Sequence, residues 1–303
     1  MLLTDIDQEQ LKNNPGDFIK KAIRDYSAVS PWNRFTPFPD EPIWDEPLIG
    51  FASGDDPLFQ QYKTIIGDFH PTPRETLERY CESAGIGKKD LSSISVISFI
   101  FPATTKTRLE MRKETAVCTL RWNHARYEGQ EFIFRLSRYL VALLESQGYI
   151  AVAPELSKWW ETVKLPDGPA STWSQRHIAY AAGLGTFSLS DGFITPRGIA
   201  MRAGSVVCNL ALPPIPRPYP HHKANCLAFS GGKCRSCIQR CPAQAISEKG
   251  HDKIKCQAYL MNGMMEVFKK SGLESAGYQG KSYIGCGLCQ TGVPCEDKIP
   301  VKA

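Results

Sequence analysis

Eight of the eleven cysteines fall within residues 226–303: Cys226, Cys234, Cys237, Cys241, Cys256, Cys286, Cys289 and Cys295. The preceding 225 residues hold only Cys81, Cys118 and Cys208. The N-terminal stretch has no basic flank leading into an apolar run and no twin-arginine pair. The longest apolar runs, such as Ile94–Phe101, fall far short of a membrane span, so a cytoplasmic chain with no membrane partner is expected. Disulfides do not persist in a reducing cytosol, and thiols this dense then imply metal.

Their spacing narrows the metal. Cys234-Arg-Ser-Cys237-Ile-Gln-Arg-Cys241-Pro242 is C-x2-C-x3-C-P, the second half of the bacterial ferredoxin run. Close spacing wraps consecutive thiolates around one cubane, and the proline turns the last cysteine towards a neighbouring cluster. The run's expected first cysteine is replaced by Gly231, and Cys226 is the substitute, because the Gly231-Gly232 loop can fold back. Cys286-Gly-Leu-Cys289 gives a second pair, with Cys295 after Pro294 and Cys256 thirty residues upstream of Cys286. The cross-over rule then assigns one [4Fe-4S] cluster to Cys226, Cys234, Cys237 and Cys295. It assigns a second to Cys241, Cys256, Cys286 and Cys289. Structural zinc is the alternative, but zinc favours paired C-x2-C knuckles and needs no third cysteine at C-x3-C-P. Cys81, Cys118 and Cys208 read as buried apolar side chains.

Residues 226–303 carry 11 Lys/Arg against 6 Asp/Glu, and that surplus equals the whole chain's net charge of +5. Two oxidised cubanes held by eight thiolates leave roughly −4, which consumes most of the surplus. Nucleic acid is therefore not an expected partner.

Upstream, Pro57–Ile66 reads as a helix, and Thr72-Pro73-Arg74-Glu75 carries a cap, a first-turn proline and a capping-box glutamate. A further helix is expected at Asp17–Tyr26, followed by a proline-rich irregular stretch over Val29–Leu48. Ser93–Phe101, Tyr149–Ala153 and Gly204–Leu212 read as strands. Glu131–Ser146 is the clearest amphipathic helix, and Ser171–Ala182 forms another that ends in Gly183-Leu184-Gly185. Strands alternating with helices indicate an α/β core. Pro213–Pro220 is a stiff connector. The division expected is an N-terminal extension at 1–47, an α/β cofactor and substrate core at 48–215, and a two-cluster ferredoxin-like domain at 216–303.

The segments Cys234–Ile246, Lys255–Met261 and Tyr283–Cys295 resemble those of epoxyqueuosine reductases, which are grouped with the reductive dehalogenases. Trp173–Gly185 followed by Phe193–Val207 resembles the same family's helix, glycine turn and strand. The resemblance implies an α+β nitroreductase-like core, two [4Fe-4S] clusters and a base-off cobalamin. It departs at two places. His124-Ala125-Arg126-Tyr127-Glu128 puts Arg126 where the family carries an acidic proton donor, and a guanidinium cannot donate a proton at neutral pH. Tyr127 is the substitute acid, as a tyrosine is in the dehalogenases. Gly287 stands where the family has an acidic residue after the first cysteine of the C-x2-C pair.

A cytoplasmic oxidoreductase follows, which takes electrons from a ferredoxin- or flavodoxin-like donor and passes them through both clusters to a corrinoid that reduces a small organic substrate. Ser171, Ser174, Arg176 and His177 are the candidate cofactor-binding side chains, and Gly183, Gly185 and Thr186 allow close backbone approach. The alternative is a relay that serves a corrinoid partner protein and has no substrate of its own. Flavin is a further option in place of the corrinoid. No glycine-rich fingerprint supports bound nicotinamide.

Overall fold

The apolar run in the middle of the chain forms the strand Ser95–Pro102, buried at every position. It pairs antiparallel with Leu48–Ser53 on one side and Met201–Cys208 on the other, and Ala151–Val152 closes the sheet beyond Met201–Cys208. The structure is a computed structural model that describes residues 5–87, 90–263 and 285–301. Both faces of the sheet are covered. Ile97, Phe99 and Phe101 face the helices Leu120–Ser146 and Pro15–Val29, while Val96 and Ile100 face Leu58–Ile65, Pro73–Ser83 and Gln175–Ala181. A strand sandwiched in this way has no solvent side, hence its uninterrupted apolar sequence.

Helices and strands are mixed as expected, and among the described residues the strand pairs are antiparallel. The capping box at Thr72 and Glu75 is complete in both directions. The long helix starts at Leu120, capped by the Thr119 side chain, and therefore includes the 124–128 segment. Phe101 meets Phe132 edge-on at 5.0 Å, a geometry that adds about 1 kcal/mol to burial alone.

Pro15–Val29 lies within the expected N-terminal extension, yet Phe18, Ile19, Ala22 and Ile23 join the same core as the sheet. Within the proline-rich stretch, Arg34–Phe35 pairs with Phe38–Pro42. Buried Asn33 ties this stretch down, because its amide donates to the Ser27 and Trp44 carbonyls and its oxygen accepts from Trp44 N.

Among its described residues, the cysteine-bearing segment is built of short elements: the helices Ser236–Gln239 and Lys253–Ala258, helical turns at Tyr259–Gly263 and Leu288–Gln290, and a small strand pair at 246–251. Specific contacts seat it on the core. The Arg240 guanidinium donates to the carbonyls of Met111 and Glu114 in the core and of Leu288 and Thr291 in the second cysteine turn. Leu288 is fully buried among the residues beneath the sheet.

The helix Gln175–Ala181 is set in place by His70, which is fully buried and stacked on Trp173. His70 Nε2 accepts from Ser174 N at 3.2 Å, so the ring is neutral with its proton on Nδ1. Burial pushes its pKa down to about 4. The unfolded chain takes up this proton near pH 6.5 and the folded protein does not, so stability is full above 6.5 and falls as pH drops towards 4. The full loss is about 3 kcal/mol. His177, held down to about 3 by burial, acts in the same sense. Urea midpoints measured at pH 7 and pH 5 check this: His70→Gln is expected to remove about half of the wild-type acid loss.

Candidate metal centre and adjoining cavity

Cys226, Cys234, Cys237 and Cys295 line one small cavity of about 20 Å³. Local structure explains how distant Cys226 joins the other three. Asn225 beside it is buried; its N–H donates to Thr186 Oγ1 at 2.9 Å, and its side-chain amide donates to the Ile194 carbonyl at 3.0 Å. The chain then folds back through Gly231, whose φ of +76° favours glycine, while Gly232 packs directly on the Leu227 backbone. From the other side, Ile199 N donates to the Cys295 carbonyl at 2.9 Å. Burial and the neighbouring thiols push Cys237 up to about 11 and Cys295 up to about 12. Thiolates here need a positive core to hold them.

Cys241, Cys256, Cys286 and Cys289 line a larger cavity of about 300 Å³. Burial and the adjacent thiols raise Cys286 to about 11 and raise Cys289 as well. Ala245 N donates to Cys241 Sγ at 3.3 Å, a backbone bond of the kind that tunes cluster potential. Cys289 also borders the small cavity, so the two sets of thiols are neighbours. Among the described residues, no three His, Cys, Asp or Glu donors converge on a point that would hold a single metal ion. Cys118 and Cys208 are fully buried, as expected of apolar side chains, while Cys81 is half-buried.

The second cysteine turn depends on Gly287, which has a φ of +68° and lies under the Trp122 ring with no room for a Cβ. An acidic side chain cannot occupy this position in this chain. Gly287→Ala is expected to lose about half of the iron after reconstitution, while Gly87→Ala, which has open space around it, keeps the wild-type content. Iron analysis of the two variants side by side decides it.

The cavity beside the second thiol set continues into a polar lobe of about 400 Å³, bounded by Arg126, Arg176 and Arg202. Ser171 and Ser174 line this lobe as well. Ser171 Oγ donates to the Trp173 carbonyl at 3.1 Å, and Ser174 Oγ bonds His177 Nδ1 at 2.8 Å. His177 faces a third cavity of about 560 Å³, which Arg176 also borders, and donor Tyr62 OH meets its carbonyl at 2.7 Å. Gly183, Gly185 and Thr186 line none of the three cavities. Gly183, at φ +75°, lets the Pro216 carbonyl approach, Gly185 lies against the Ile194 carbonyl, and Thr186 anchors Asn225. Through Asn225, Thr186 helps to place Cys226.

Tyr127 lines none of these cavities, whereas Arg126 from the same helical turn lines two. Arg202, Gln130, Glu155 and Trp160 complete the polar lobe and carry no motif. The one sequence signal was a charge, Arg202, at the start of an otherwise apolar strand.

No family model matches the chain. A curated epoxyqueuosine reductase from Francisella cf. novicida (strain Fx1) is 32% identical over 129 residues, which are 42% of this chain and 33% of that protein. The chain is similar to epoxyqueuosine reductases. It spans about a third of the length of the curated relative it matches. Among solved structures, the epoxyqueuosine reductase of Streptococcus thermophilus aligns over 92% of this chain and 66% of its own, at 17% identity and a TM-score of 0.43. The Bacillus subtilis enzyme gives 92%, 65%, 16% and 0.40 in the same order. A reductive dehalogenase whose structure suggests a mechanism for B12-dependent dehalogenation aligns over 55% of this chain and 23% of its own, at 16% identity and a TM-score of 0.41. Among the described residues, no helix is long and apolar enough to cross a membrane.

Proposed function

We propose that this protein is an iron–sulfur oxidoreductase with two [4Fe-4S] clusters that feed electrons to a corrinoid, which reduces a small organic substrate. The observation that carries this reading is that one set of four thiols lines a small space of about 20 Å³ while the other borders a cavity of about 300 Å³. A relay for a partner protein has no need of that cavity. The nitroreductase-like description of the core, and the ferredoxin-like description of the cysteine segment, belong to the same proposal.

The donor sets fit the groups assigned to them. Cys226, Cys234, Cys237 and Cys295 would hold one cluster, and Cys241, Cys256, Cys286 and Cys289 the cluster that borders the larger cavity. Four thiols and no other ligand type is the donor set of a cubane. Three cavities that all border Arg176, of about 300, 400 and 560 Å³, give room for a cofactor as well as a substrate. Trp44, Trp122, Met201 and Leu260 supply apolar walls beside the second thiol set.

A corrinoid, when bound, supplies low-potential cobalt chemistry that no side chain can provide. The chain's own residues have simpler tasks. Arg240 clamps the second cysteine turn to the core, and Trp122 covers Gly287 at the cavity wall. Cys289 borders both cavities, so clusters held by the two thiol sets would be neighbours and would offer electrons a short path to the larger cavity. A two-electron reduction is met by two single-electron carriers, supplied in turn by a ferredoxin- or flavodoxin-like donor. Arg126 orients and neutralises rather than donating a proton.

Anaerobic reconstitution with hydroxocobalamin, followed by exhaustive desalting and cobalt analysis, tests the corrinoid. The expected result is about one cobalt per chain, retained by the wild type and reduced when dithionite is added. Full iron loading with no retained cobalt would overturn the corrinoid assignment and favour the relay.

A further inference from the structure

The polar lobe holds more positive charge and more unused hydrogen-bond donors than the protein itself satisfies. Arg126, Arg176 and Arg202 border it, and Glu155 is the one carboxylate among its lining residues. No ion pair joins Glu155 to any of the three among the described residues; it accepts from Gln175 Nε2 at 2.9 Å instead. Arg176 is partly used, because it donates to the Asp191 carbonyl. Arg202 is held by one bond, from its Nε to Gln130 Oε1 at 2.6 Å, which leaves its two terminal nitrogens without a protein acceptor among the described residues. Arg126 makes no hydrogen bond or ion pair among them. Two further donors, Gln130 Nε2 and Trp160 Nε1, are buried and unpaired in residues that line the same lobe.

Burial, with the Arg126 charge beside it, pushes Arg202 down to about 9. Half-buried like charges beside buried orphan donors are costly unless a ligand completes them. None of the eight cluster cysteines lines this lobe, so cluster thiolates are not the completing group. An oxyanion is, since a guanidinium offers paired N–H donors that match two oxygens of a carboxylate or phosphate. The apolar lobe next door, with Trp44, Trp122 and Met201, suits the rest of such a molecule.

We infer that the polar lobe binds the carboxylate or phosphate head of a small organic anion through Arg126 and Arg202, with its apolar body in the lobe beside the second thiol set. This names the substrate class of the proposed reductase and rests on that reading for its catalytic meaning, though not for the binding itself.

The test is calorimetric titration of the full-length, cluster- and corrinoid-loaded protein with benzoate, phenyl phosphate and neutral benzamide. At least one of the two anions is expected to bind about tenfold or more tightly than benzamide. Whether benzoate or phenyl phosphate is preferred separates a carboxylate substrate from a phosphate ester. Arg126→Gln and Arg202→Gln should each weaken the anion about tenfold and leave benzamide and iron content unchanged. Arg202→Lys, which keeps the charge but not the fork, should recover part of the loss. Equal binding of benzamide, no effect of either glutamine variant, or no saturable binding of either anion would overturn the inference. Anion binding that appears only when the corrinoid is left out would also overturn it, because the lobe would then belong to the cofactor's own phosphate. Charge-dependent binding in a protein that retains no cobalt would sustain the anion site while the corrinoid reading fails.

Discussion

Cys226→Ala is expected to cut the iron content of the reconstituted protein from about eight atoms per chain to about four. Cys226 stands eight residues ahead of Cys234, well outside the usual run, so its place as fourth ligand depends wholly on the fold-back at Gly231 and on the Asn225 anchor. Once it is lost, Cys234, Cys237 and Cys295 share a cavity with no other cysteine except Cys289, which borders the second site. Three thiols do not hold a complete cubane firmly. The variant should lose the cluster of this first set and keep the other. Unchanged iron would show that the first cluster takes a different ligand, and the folded-back loop would lose its assigned role.

Glu296→Ala should cost about 3 kcal/mol of stability, the range for removing one partner of a buried ion pair. Glu296 is fully buried beside Cys295. Its carboxylate accepts from Arg112 Nε at 2.9 and 3.0 Å and from Gly292 N at 2.6 Å, and lies 3.5 Å from Arg108 Nε. Arg108 is itself nearly buried, so the variant leaves a charge with reduced compensation and a backbone donor with no acceptor. Arg112→Ala, which removes a half-exposed guanidinium, should cost only about 1 kcal/mol. Urea midpoints of the reconstituted variants check both values, and a Glu296→Ala midpoint at the wild-type level would remove the clamp from the account. Because the carbonyls of Cys295 and Glu296 accept from Ile199 N and Ala200 N, the variant should also release iron faster to a chelator.

The elements read most directly from the sequence are those with a local chemical cause. Thr72 and Glu75 specify a helix start through their reciprocal hydrogen bonds and Pro73 through its fixed φ, and the structure forms this start. The run at 94–101 is apolar on both faces because helices cover both faces of the strand it forms. The direction of strand pairing is different. A doubly buried strand has the same composition in either orientation, so the antiparallel sheet was not legible. Nor was the early start of the long helix, because His124–Gln130 mixes polar, charged and small residues until Thr119 is seen to cap it and Trp44 to pack on Gly129. Within the site, the cysteines carry their spacing in sequence. Arg202 and Trp160 meet Arg126 only through tertiary packing, and no local pattern announces them. At the glycine turn next to the polar helix, Gly183 and Gly185 allow close approach of the Pro216 and Ile194 carbonyls, which no local pattern announces.

The most direct test of the account is a count of iron and acid-labile sulfide per chain after anaerobic reconstitution of the full-length protein. Two cubanes held by the two sets of four thiols predict about eight of each. About four of each would leave one set without a cluster, and zinc in place of iron would contradict the redox reading altogether.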